Sequence, residues 1–422
     1  MPMSTRRTIA LTISALLLIG AACAVVGVLS ELLLWPRPLA NAGQLLYRAV
    51  FWFTLPGRLV IGRSFPAGSK GLPMGPLIVS AFATPPLLFA VLAGVQRAFA
   101  YLRRQRTRKR ASGLARRDFL GQGAAGLLIV SGGALGGYTT FVEPGRLRVV
   151  HYDVPITRLP PELDGFRIVH LSDTHHGPYI TLPYLEGAVA RANALEADLA
   201  VLTGDYVHRT PRSIPDGIGI FRKLETRLGT VAVTGNHEFW EGIDTCRAAF
   251  AETPVHLIDN ARVFLTRDGI TQSPEARALC MGGVGDLWED EVRFDKATAD
   301  APESMPRLVL AHNPDTAEHV PPRLRVDLML CGHTHGGQVC FPRIGTPSVP
   351  SRYGSKYAGG LCQGPQCRVL VSRGVGMAIL PVRFRVRPEI GLITLRRTQQ
   401  AIARDMPCRV IAAPDPRAEE WA

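Results

Sequence analysis

Residues 326–337 read VDLMLCGHTHGG, a short apolar run followed at once by two histidines between glycines. Side chains two positions apart at the end of a strand leave the same face of the chain, so His333 and His335 are expected to point to one place. The glycines beside them let the backbone turn sharply and come close to a bound ion. This stretch therefore predicts a buried strand that ends in a ligand-binding loop.

The same pattern occurs four more times along the chain. Apolar runs followed by polar residues that can bind metals occupy the stretches 166–176, 197–208, 229–240 and 306–315. Such runs predict buried strands, and helix-like stretches at 182–197 and 215–228 lie between the first three. This alternation predicts a layered α/β fold. Because ligands of open α/β sheets gather beyond the carboxyl ends of the strands, we expect the five polar clusters to meet at one site.

Seven side chains in these clusters are candidate metal ligands, namely Asp173, His175, Asp205, Asn236, His312, His333 and His335. A single histidine after a strand is usually structural, but seven such residues on five strand ends are hard to explain in that way. The set contains no thiolate, which argues against a closed structural zinc site. Its size suits two divalent ions that share a carboxylate. Mixed imidazole and carboxylate ligation admits manganese, iron, zinc or cobalt and does not choose among them.

The amino-terminal third of the chain has the composition of a membrane region. Three uncharged stretches, 9–29, 76–96 and 119–142, are each long enough to cross a bilayer as a helix. The chain has 48 Lys and Arg residues and 35 Asp and Glu residues. Residues 1–150 contain 18 of the basic residues and 3 of the acidic ones, so the rest of the chain contains 30 basic and 32 acidic residues. The basic excess is concentrated in 103–117 and predicts a cytoplasmic segment under the positive-inside rule. A nucleic-acid partner is not expected, because the folded part carries no basic excess.

These segments predict a membrane region at 1–143 and a folded domain at 144–422 on the outer, periplasmic side of the cytoplasmic membrane. Residues 116–120, RRDFL, resemble a twin-arginine export signal. The alternative is that these arginines end the basic segment, and both interpretations place the domain outside. The sequence contains no convincing cleavage site, so the segment is expected to remain as an anchor. The apolar part of 43–63 is too short to span the membrane. If it did span, the orientation of everything after it in the chain would invert.

The five ordered motifs DxH, GD, GNHE, AH and GHTHGG resemble those of the calcineurin-like metallophosphoesterases. The similarity covers about 150–396, and the stretches 353–361 and 372–395 resemble the membrane-anchored bacterial branch of that family, whose members often carry twin-arginine signals. The resemblance implies a four-layer fold, in which a β-sandwich of two mixed sheets is flanked by helices. In this chain the predicted transmembrane helices would precede that fold.

The resemblance also implies a role for each candidate residue. One metal would be held by Asp173, His175, Asp205 and His335, and the other by Asp205 as the bridging ligand, Asn236, His312 and His333. Catalysis would involve Asp205 and His237, which faces the phosphate as a transition-state stabiliser or as the acid for the leaving oxygen. Glu238 stands where many members have aspartate and is expected to orient His237. His208 occupies a place where an acidic residue is common. It could contact a ligand residue from behind or be a solvated loop residue, and the second is expected.

The chemistry implied is hydrolysis of a phosphate ester or pyrophosphate bond by a hydroxide that bridges the two ions, with a phosphodiester as the expected substrate. Membrane attachment suggests a lipid-linked substrate. The main alternative is a non-catalytic metal-binding or scaffold protein with the same fold. A nuclease is a further alternative, against which the charge of the folded part argues.

Several residues outside the ligand set keep two interpretations. Arg352, Lys356 and Arg373 could bind substrate phosphate or be ordinary surface charges. Asp286 could cap a loop or contact the substrate. Cys362 and Cys367 could form a disulfide or be small buried side chains.

Overall fold

Two mixed seven-stranded sheets carry the fold. The computed structural model describes residue 131, residues 134–399 apart from 275–276 and 380, and residues 410–411. In chain order the strands are β1 (Arg148–Thr157), β2 (Arg167–Leu171), β3 (Leu199–Thr203), β4 (Thr230–Val233), β5 (Val255–Leu257), β6 (Ala261–Leu265), β7 (Ile270–Thr271), β8 (Leu279–Gly283), β9 (Arg307–Leu310), β10 (Leu328–Cys331), β11 (Gly360–Gln363), β12 (Arg368–Val371), β13 (Glu389–Thr398) and β14 (Val410–Ile411). The α-helices are α1 (Leu182–Asn193), α2 (Ile214–Gly219), α3 (Asn236–Glu241), α4 (Ile243–Ala251) and α5 (Phe294–Ala297).

The order of the strands explains why the polar clusters meet. The first sheet has the order β14-β1-β13-β2-β3-β4-β5, and the second has the order β11-β12-β10-β9-β8-β6-β7. Strands β2, β3 and β4 are parallel neighbours in the first sheet, and β9 and β10 are parallel neighbours in the second. Antiparallel pairs such as β13 with β2 and β8 with β6 make both sheets mixed. The predicted architecture of two mixed sheets is therefore confirmed.

The core lies between the two sheets. Apolar side chains of the first sheet pack against those of the second in one cluster that includes Ile168, Val201, Val231, Leu308, Leu330 and Leu370. A second cluster covers the other face of the second sheet and joins Val309 and Met329 to Phe294 on α5 and to Ala317. Strands β3, β4, β9 and β10 are buried along their whole length. Burial on both faces explains why these strands are continuous apolar runs and do not alternate.

The two helices predicted between the early strands are both present, and both are shorter than predicted. Helix α1 occupies most of the stretch 182–197 and ends at Asn193. The stretch 215–228 forms only the six-residue helix α2, followed by a 3₁₀ turn at Ile220–Lys223. Gly217 and Gly219 weaken the α-helix here, because glycine costs about 1 kcal/mol relative to alanine in a helix interior.

The predicted membrane segments 9–29 and 76–96 lie outside the described residues, as do 43–63, the basic segment 103–117 and most of 119–142. In the part of the chain that the structure describes, no helix combines the length and apolar character needed to cross a bilayer. The described residues from 139 onward form one compact unit. Within it Cys362 and Cys367 are free thiols.

Candidate metal centre

All seven candidate ligands are buried where the loops after β2, β3, β4, β9 and β10 meet. Six of the seven candidates form two groups of three, Asp173, His175 and His335 in the first and Asp205, His312 and His333 in the second. A third group joins His175 to two side chains outside the candidate set, His208 and His237. Within each group the ligand atoms lie within 4.8 Å of one another. The strand ends therefore bring the candidates together in two adjacent groups.

The first group joins the loop after β2 to the loop after β10. The Nε2 atoms of His175 and His335 are 2.9 Å apart, and Nε2 of His335 is 3.3 Å from Oδ1 of Asp173. The carboxylate of Asp173 also accepts the backbone N–H of His333 at 2.9 Å. This hydrogen bond ties the two loops together and fixes the orientation of the carboxylate.

The second group surrounds one imidazole whose orientation is fixed. Nδ1 of His312 donates to the carbonyl oxygen of Thr203 at 2.7 Å, which leaves Nε2 to face the centre. Nε2 of His312 is 3.1 Å from Oδ2 of Asp205 and 3.2 Å from Nδ1 of His333. A histidine held in this way presents its free nitrogen as a ligand.

A single oxygen, Oδ2 of Asp205, lies beside both groups. It is 3.5 Å from Nε2 of His175 in the first group and 3.1 Å from Nε2 of His312 in the second. Nε2 of His237 is 4.0 Å from the same oxygen. The other oxygen of this carboxylate accepts the backbone N–H of His237 at 2.9 Å. Asp205 therefore has the position expected of a bridging ligand.

The backbone that carries these side chains is strained. Five of the seven candidates have a left-handed conformation, with φ between 46° and 68°, namely Asp173, His175, Asp205, His333 and His335. Residues other than glycine rarely adopt this conformation, and it persists where the surrounding structure enforces it, often at functional sites. The loops thus hold the side chains in place at a cost in backbone energy.

Gly204 lies where two loops approach each other closely. Its φ is +89°, and a Cβ atom there would lie 2.6 Å from the backbone nitrogen of Gly235 and 2.7 Å from Nδ1 of His312. A side chain at this position would therefore push apart the loops after β3 and β4. This contact explains why glycine precedes Asp205.

The protonation states favour a bound cation. Burial lowers the pKa of His333 to about 3 and that of His175 well below its usual range. Burial also raises the pKa of Asp173 to about 7. His312 differs, because its pKa rises to about 10 when the carboxylate of Asp205 outweighs the opposing effect of burial. The centre therefore combines mostly neutral imidazoles with two carboxylates, of which Asp173 lies where burial disfavours its charged form.

The composition of the centre and one unpaired atom fit metal ligation. Among the described residues, no hydrogen-bond partner exists for the buried atom Oδ1 of Asn236. A buried polar atom without a partner costs about 1–3 kcal/mol, so native structures rarely keep one unless something binds there. Imidazole nitrogens and carboxylate or amide oxygens suit a divalent transition metal. The residues present thus fit the expected ions.

His237 and His208 form a pair beside the first group. Nδ1 of His208 lies 3.3 Å from Nδ1 of His237, and the side chain is only 3 % exposed. The expectation that His208 is solvated is therefore wrong. The backbone N–H of His208 donates to the carbonyl oxygen of His176, which anchors this residue to the neighbouring loop.

Glu238 has a role that differs from the expected one. Its fully buried carboxylate accepts three backbone N–H groups, those of Asp205 at 2.9 Å, Tyr206 at 2.7 Å and Gly235 at 2.8 Å. These bonds join the loop after β3 to the loop after β4. The longer side chain therefore holds the two backbone segments together, and no described hydrogen bond links it to the ring of His237.

Replacing Glu238 with glutamine is expected to lower the free energy of unfolding by about 2 kcal/mol, because the amide nitrogen would leave a buried backbone N–H without an acceptor. Urea denaturation of the metal-free protein would measure this change. The exposed Glu252 offers a matched control, since Glu252→Gln is expected to have little effect. Equal stability of the two variants would contradict the proposed bracing role.

One residue that the sequence did not single out organises the carboxyl-terminal side of the centre. Arg383 is fully buried, and its guanidinium donates to the carbonyl oxygens of Arg373 at 2.8 Å and Gly376 at 2.6 Å. Its Nη2 lies 3.4 Å from Nδ1 of His335. Arg383 therefore holds the loop that packs on His335. Nothing in its local sequence distinguishes it from the neighbouring arginines.

The other residues with open interpretations are engaged in local interactions. Lys356 pairs with Glu318 at 2.5 Å, and Arg373 pairs with Glu389 at 2.7 Å. The side chain of Arg352 is exposed. The substrate-binding role of these three residues stays a prediction.

Asp286 caps a loop. Its Oδ1 accepts the backbone N–H groups of Trp288 at 2.9 Å and Glu289 at 3.1 Å. The loop-cap interpretation of this residue is therefore the one that the described contacts support.

Comparison with known proteins identifies the family. The family described as calcineurin-like phosphoesterase matches residues 166–337. An uncharacterized metallophosphoesterase of Bacillus subtilis, YkuE, is 30% identical over 294 residues, which cover 68% of this chain and 99% of that protein. Phosphodiesterase YaeI of Escherichia coli is 30% identical over 289 residues, which cover 67% of this chain and 99% of YaeI.

A third relative is named for a more specific activity. UDP-2,3-diacylglucosamine pyrophosphatase LpxG of Chlamydia trachomatis is 26% identical over 305 residues, which cover 61% of this chain and 91% of LpxG. The family match spans all five strand-end motifs, and YkuE aligns over almost its entire length. The chain therefore belongs to the calcineurin-like phosphoesterase family, and it is a metal-dependent hydrolase of phosphoric esters.

Proposed function

We propose that this chain hydrolyses phosphodiesters at a centre of two divalent cations. Asp173, His175, Asp205 and His335 would hold the first cation, and Asp205, Asn236, His312 and His333 would hold the second. The observation that carries this proposal is the position of Oδ2 of Asp205, 3.5 Å from His175 and 3.1 Å from His312. A carboxylate oxygen placed between two groups of imidazoles is the arrangement that a pair of ions requires.

The side chains of the centre would divide the work of hydrolysis. When bound, the two cations supply positive charge for the phosphoryl oxygens and activate water near neutral pH. Asp205 would set the spacing of the two ligand groups, and Asn236 would contribute its buried Oδ1, which has no hydrogen-bond partner among the described residues. Rigid ligands matter here because phosphoryl transfer depends mainly on positioning and charge neutralisation.

His237 would act on the ester itself. Burial lowers the pKa of His237, so its ring is neutral near pH 7. The neutral ring donates a hydrogen bond from one nitrogen only, and the two ring nitrogens face different partners, His208 and Asp205. A donor on the side of Asp205 can stabilise a phosphoryl oxygen or protonate a leaving alkoxide. Help for a poor leaving group is what a diester of an aliphatic alcohol needs.

The location of the domain belongs to the same proposal. We infer a membrane region at 1–143, exported through the twin-arginine machinery or inserted directly, with the catalytic domain from residue 144 outside the cytoplasmic membrane. The apolar stretches and the basic segment 103–117 support this placement. A substrate linked to a lipid would suit a tethered domain, and the relative LpxG is named for a pyrophosphatase activity on a diacylated sugar nucleotide.

Turnover of two aryl phosphates tests the function. The full chain in detergent, stripped of metal and reloaded with manganese, is expected to hydrolyse bis(p-nitrophenyl) phosphate faster than p-nitrophenyl phosphate. A preference for the monoester would keep the enzyme and overturn the diester proposal. If neither ester is hydrolysed while metal analysis finds two ions bound, the alternative of a non-catalytic metal-binding protein gains support.

A further inference from the structure

Two exposed tryptophans stand at the metal centre, one on each side. The ring of Trp240 lies 4.6 Å from the ring of His237, and the ring of Trp288 lies 4.4 Å from that of His333 at 89°. Their exposed fractions are 51% and 43%. Exposed tryptophans are uncommon because their burial contributes much to stability, and those beside a reactive site often bind a ligand.

The loop that carries Trp288 is held in place by polar side chains that bind its backbone. Asp286 accepts the backbone N–H groups of Trp288 and Glu289, at 2.9 and 3.1 Å. At the base of the same loop, the side chain of Asn260 accepts the N–H of Gly285 at 2.9 Å and donates to the carbonyl oxygen of Glu291 at 2.9 Å. The loop therefore presents Trp288 in a fixed position, which lowers the entropic cost of binding a ligand.

Trp240 is connected to the same loop. It follows His237 by three residues on helix α3, so the two side chains lie on one face of the helix. Its indole Nε1 donates to Oε1 of Glu289 at 2.8 Å. This bond satisfies the polar atom of the Trp240 indole, so the exposed part of that ring is an apolar surface for a ligand.

Glu289 also selects the charge of what can bind. Its carboxylate accepts the indole N–H of Trp240, and Glu289 itself follows Trp288 in the sequence. This carboxylate would repel an anionic group on the part of a ligand that binds at the two tryptophans. Flat rings without charge gain most from aromatic faces, through stacking and burial of apolar area. The site thus combines two aromatic surfaces with a filter against negative charge.

We propose that Trp240, Trp288 and Glu289, which we call the tryptophan rim, bind an uncharged flat ring on one ester substituent of the substrate. The inference rests on the proposed phosphodiesterase function and adds a substrate class to it. The contacts of the rim with His237 and His333 place the ring next to the phosphoryl group. Substrates with such a ring would be preferred over esters with a small alkyl group.

Two esters that share one leaving group test the rim. p-Nitrophenyl phenyl phosphate and p-nitrophenyl methyl phosphate differ only in the second substituent. In the full chain loaded with manganese, Trp288→Ala and Trp240→Ala are each expected to raise KM for the phenyl ester by roughly 10-fold. KM for the methyl ester should stay nearly unchanged in both variants. Trp288→Phe should restore most of the preference. Phe341→Ala is the control, because this exposed aromatic ring packs on Phe384.

A third ester identifies the kind of ring. A p-nitrophenyl ester of thymidine 5′-phosphate that is hydrolysed better than the phenyl ester would assign the rim to a nucleobase. The opposite preference would assign it to an apolar ring of another type. Either result supports the proposal if it depends on Trp240 or Trp288.

Direct binding separates this proposal from the proposed hydrolysis. Tryptophan fluorescence of the loaded protein is expected to respond to phenylphosphonate at roughly 10-fold lower concentration than to methylphosphonate, and Trp288→Ala should remove this difference. Binding of phenylphosphonate without turnover of any ester would count against hydrolysis and support the rim. Equal KM values and equal phosphonate binding for the wild type and both alanine variants would overturn the rim, even if the enzyme is active.

Discussion

Asp205→Asn is expected to lower kcat/KM on bis(p-nitrophenyl) phosphate by roughly 1000-fold or more, which corresponds to about 4 kcal/mol of transition-state stabilisation. The physical reason is that one oxygen of this carboxylate lies 3.5 Å from His175 and 3.1 Å from His312. An amide keeps the shape but removes the negative charge, and it can present a nitrogen where an oxygen must bind a cation. Stopped assays of the manganese-loaded variant would measure the loss.

Metal analysis of the same variant separates loss of ions from loss of fold. The purified wild type is expected to hold about two manganese ions per chain and the variant about one or fewer, because both ligand groups share Asp205. Asp244→Asn on the exposed surface is the matched control and should retain both ions and full activity. If Asp205→Asn kept two ions and most of its activity, Asp205 would not be the bridging ligand.

The convergence of the candidate ligands could be predicted because it depends on properties of individual strands. Buried strands such as β3 and β10 are apolar along their whole length, and their polar ends are visible in the sequence. Parallel neighbours end at the same edge, so residues such as Asp173 after β2 and Asp205 after β3 are expected to meet. The order of motifs then made the family resemblance specific.

Other features depend on contacts between distant segments and have no local signal. Arg383 reaches the backbone around His335 from a different loop, and the arginines near it in the sequence look the same. His208 was misjudged because burial of a loop residue is decided by what packs on it, here Tyr179 and His237. The left-handed backbone of the ligands is likewise set by the assembled loops.

Some roles were ambiguous because a side chain can reach two places. Glu238 was expected to orient His237, its neighbour in sequence, but the carboxylate turns back to the N–H groups of Asp205, Tyr206 and Gly235. Trp240 and Trp288 lie 48 positions apart, and only the fold brings them to the same centre through Glu289. Sequence patterns define which groups can act, and tertiary contacts decide which of them do.

Removing the metals is expected to lower the melting temperature of the domain by roughly 10 °C. Ions that bind only the folded state stabilise it by about 4 kcal/mol when their concentration is 1000 times Kd. In a domain of this size, each kcal/mol of stability shifts the melting temperature by about 2–4 °C. Without the ions, Oδ1 of Asn236 is buried without a hydrogen-bond partner among the described residues. Scanning calorimetry with a chelator, then with added manganese, would measure the change.

The size of this stabilisation is expected to depend on pH in a defined direction. In the metal-free fold the pKa of Asp173 is raised to about 7 by burial, and that of His312 is raised to about 10 because the carboxylate of Asp205 outweighs burial. A cation binds the deprotonated forms, so protons must leave, and metal affinity rises with pH. The gain in melting temperature on adding manganese should therefore grow from pH 5.5 to pH 8. The gain should be much smaller in Asp205→Asn at both pH 5.5 and pH 8. A gain in the variant equal to that of the wild type would mean that the ions bind elsewhere.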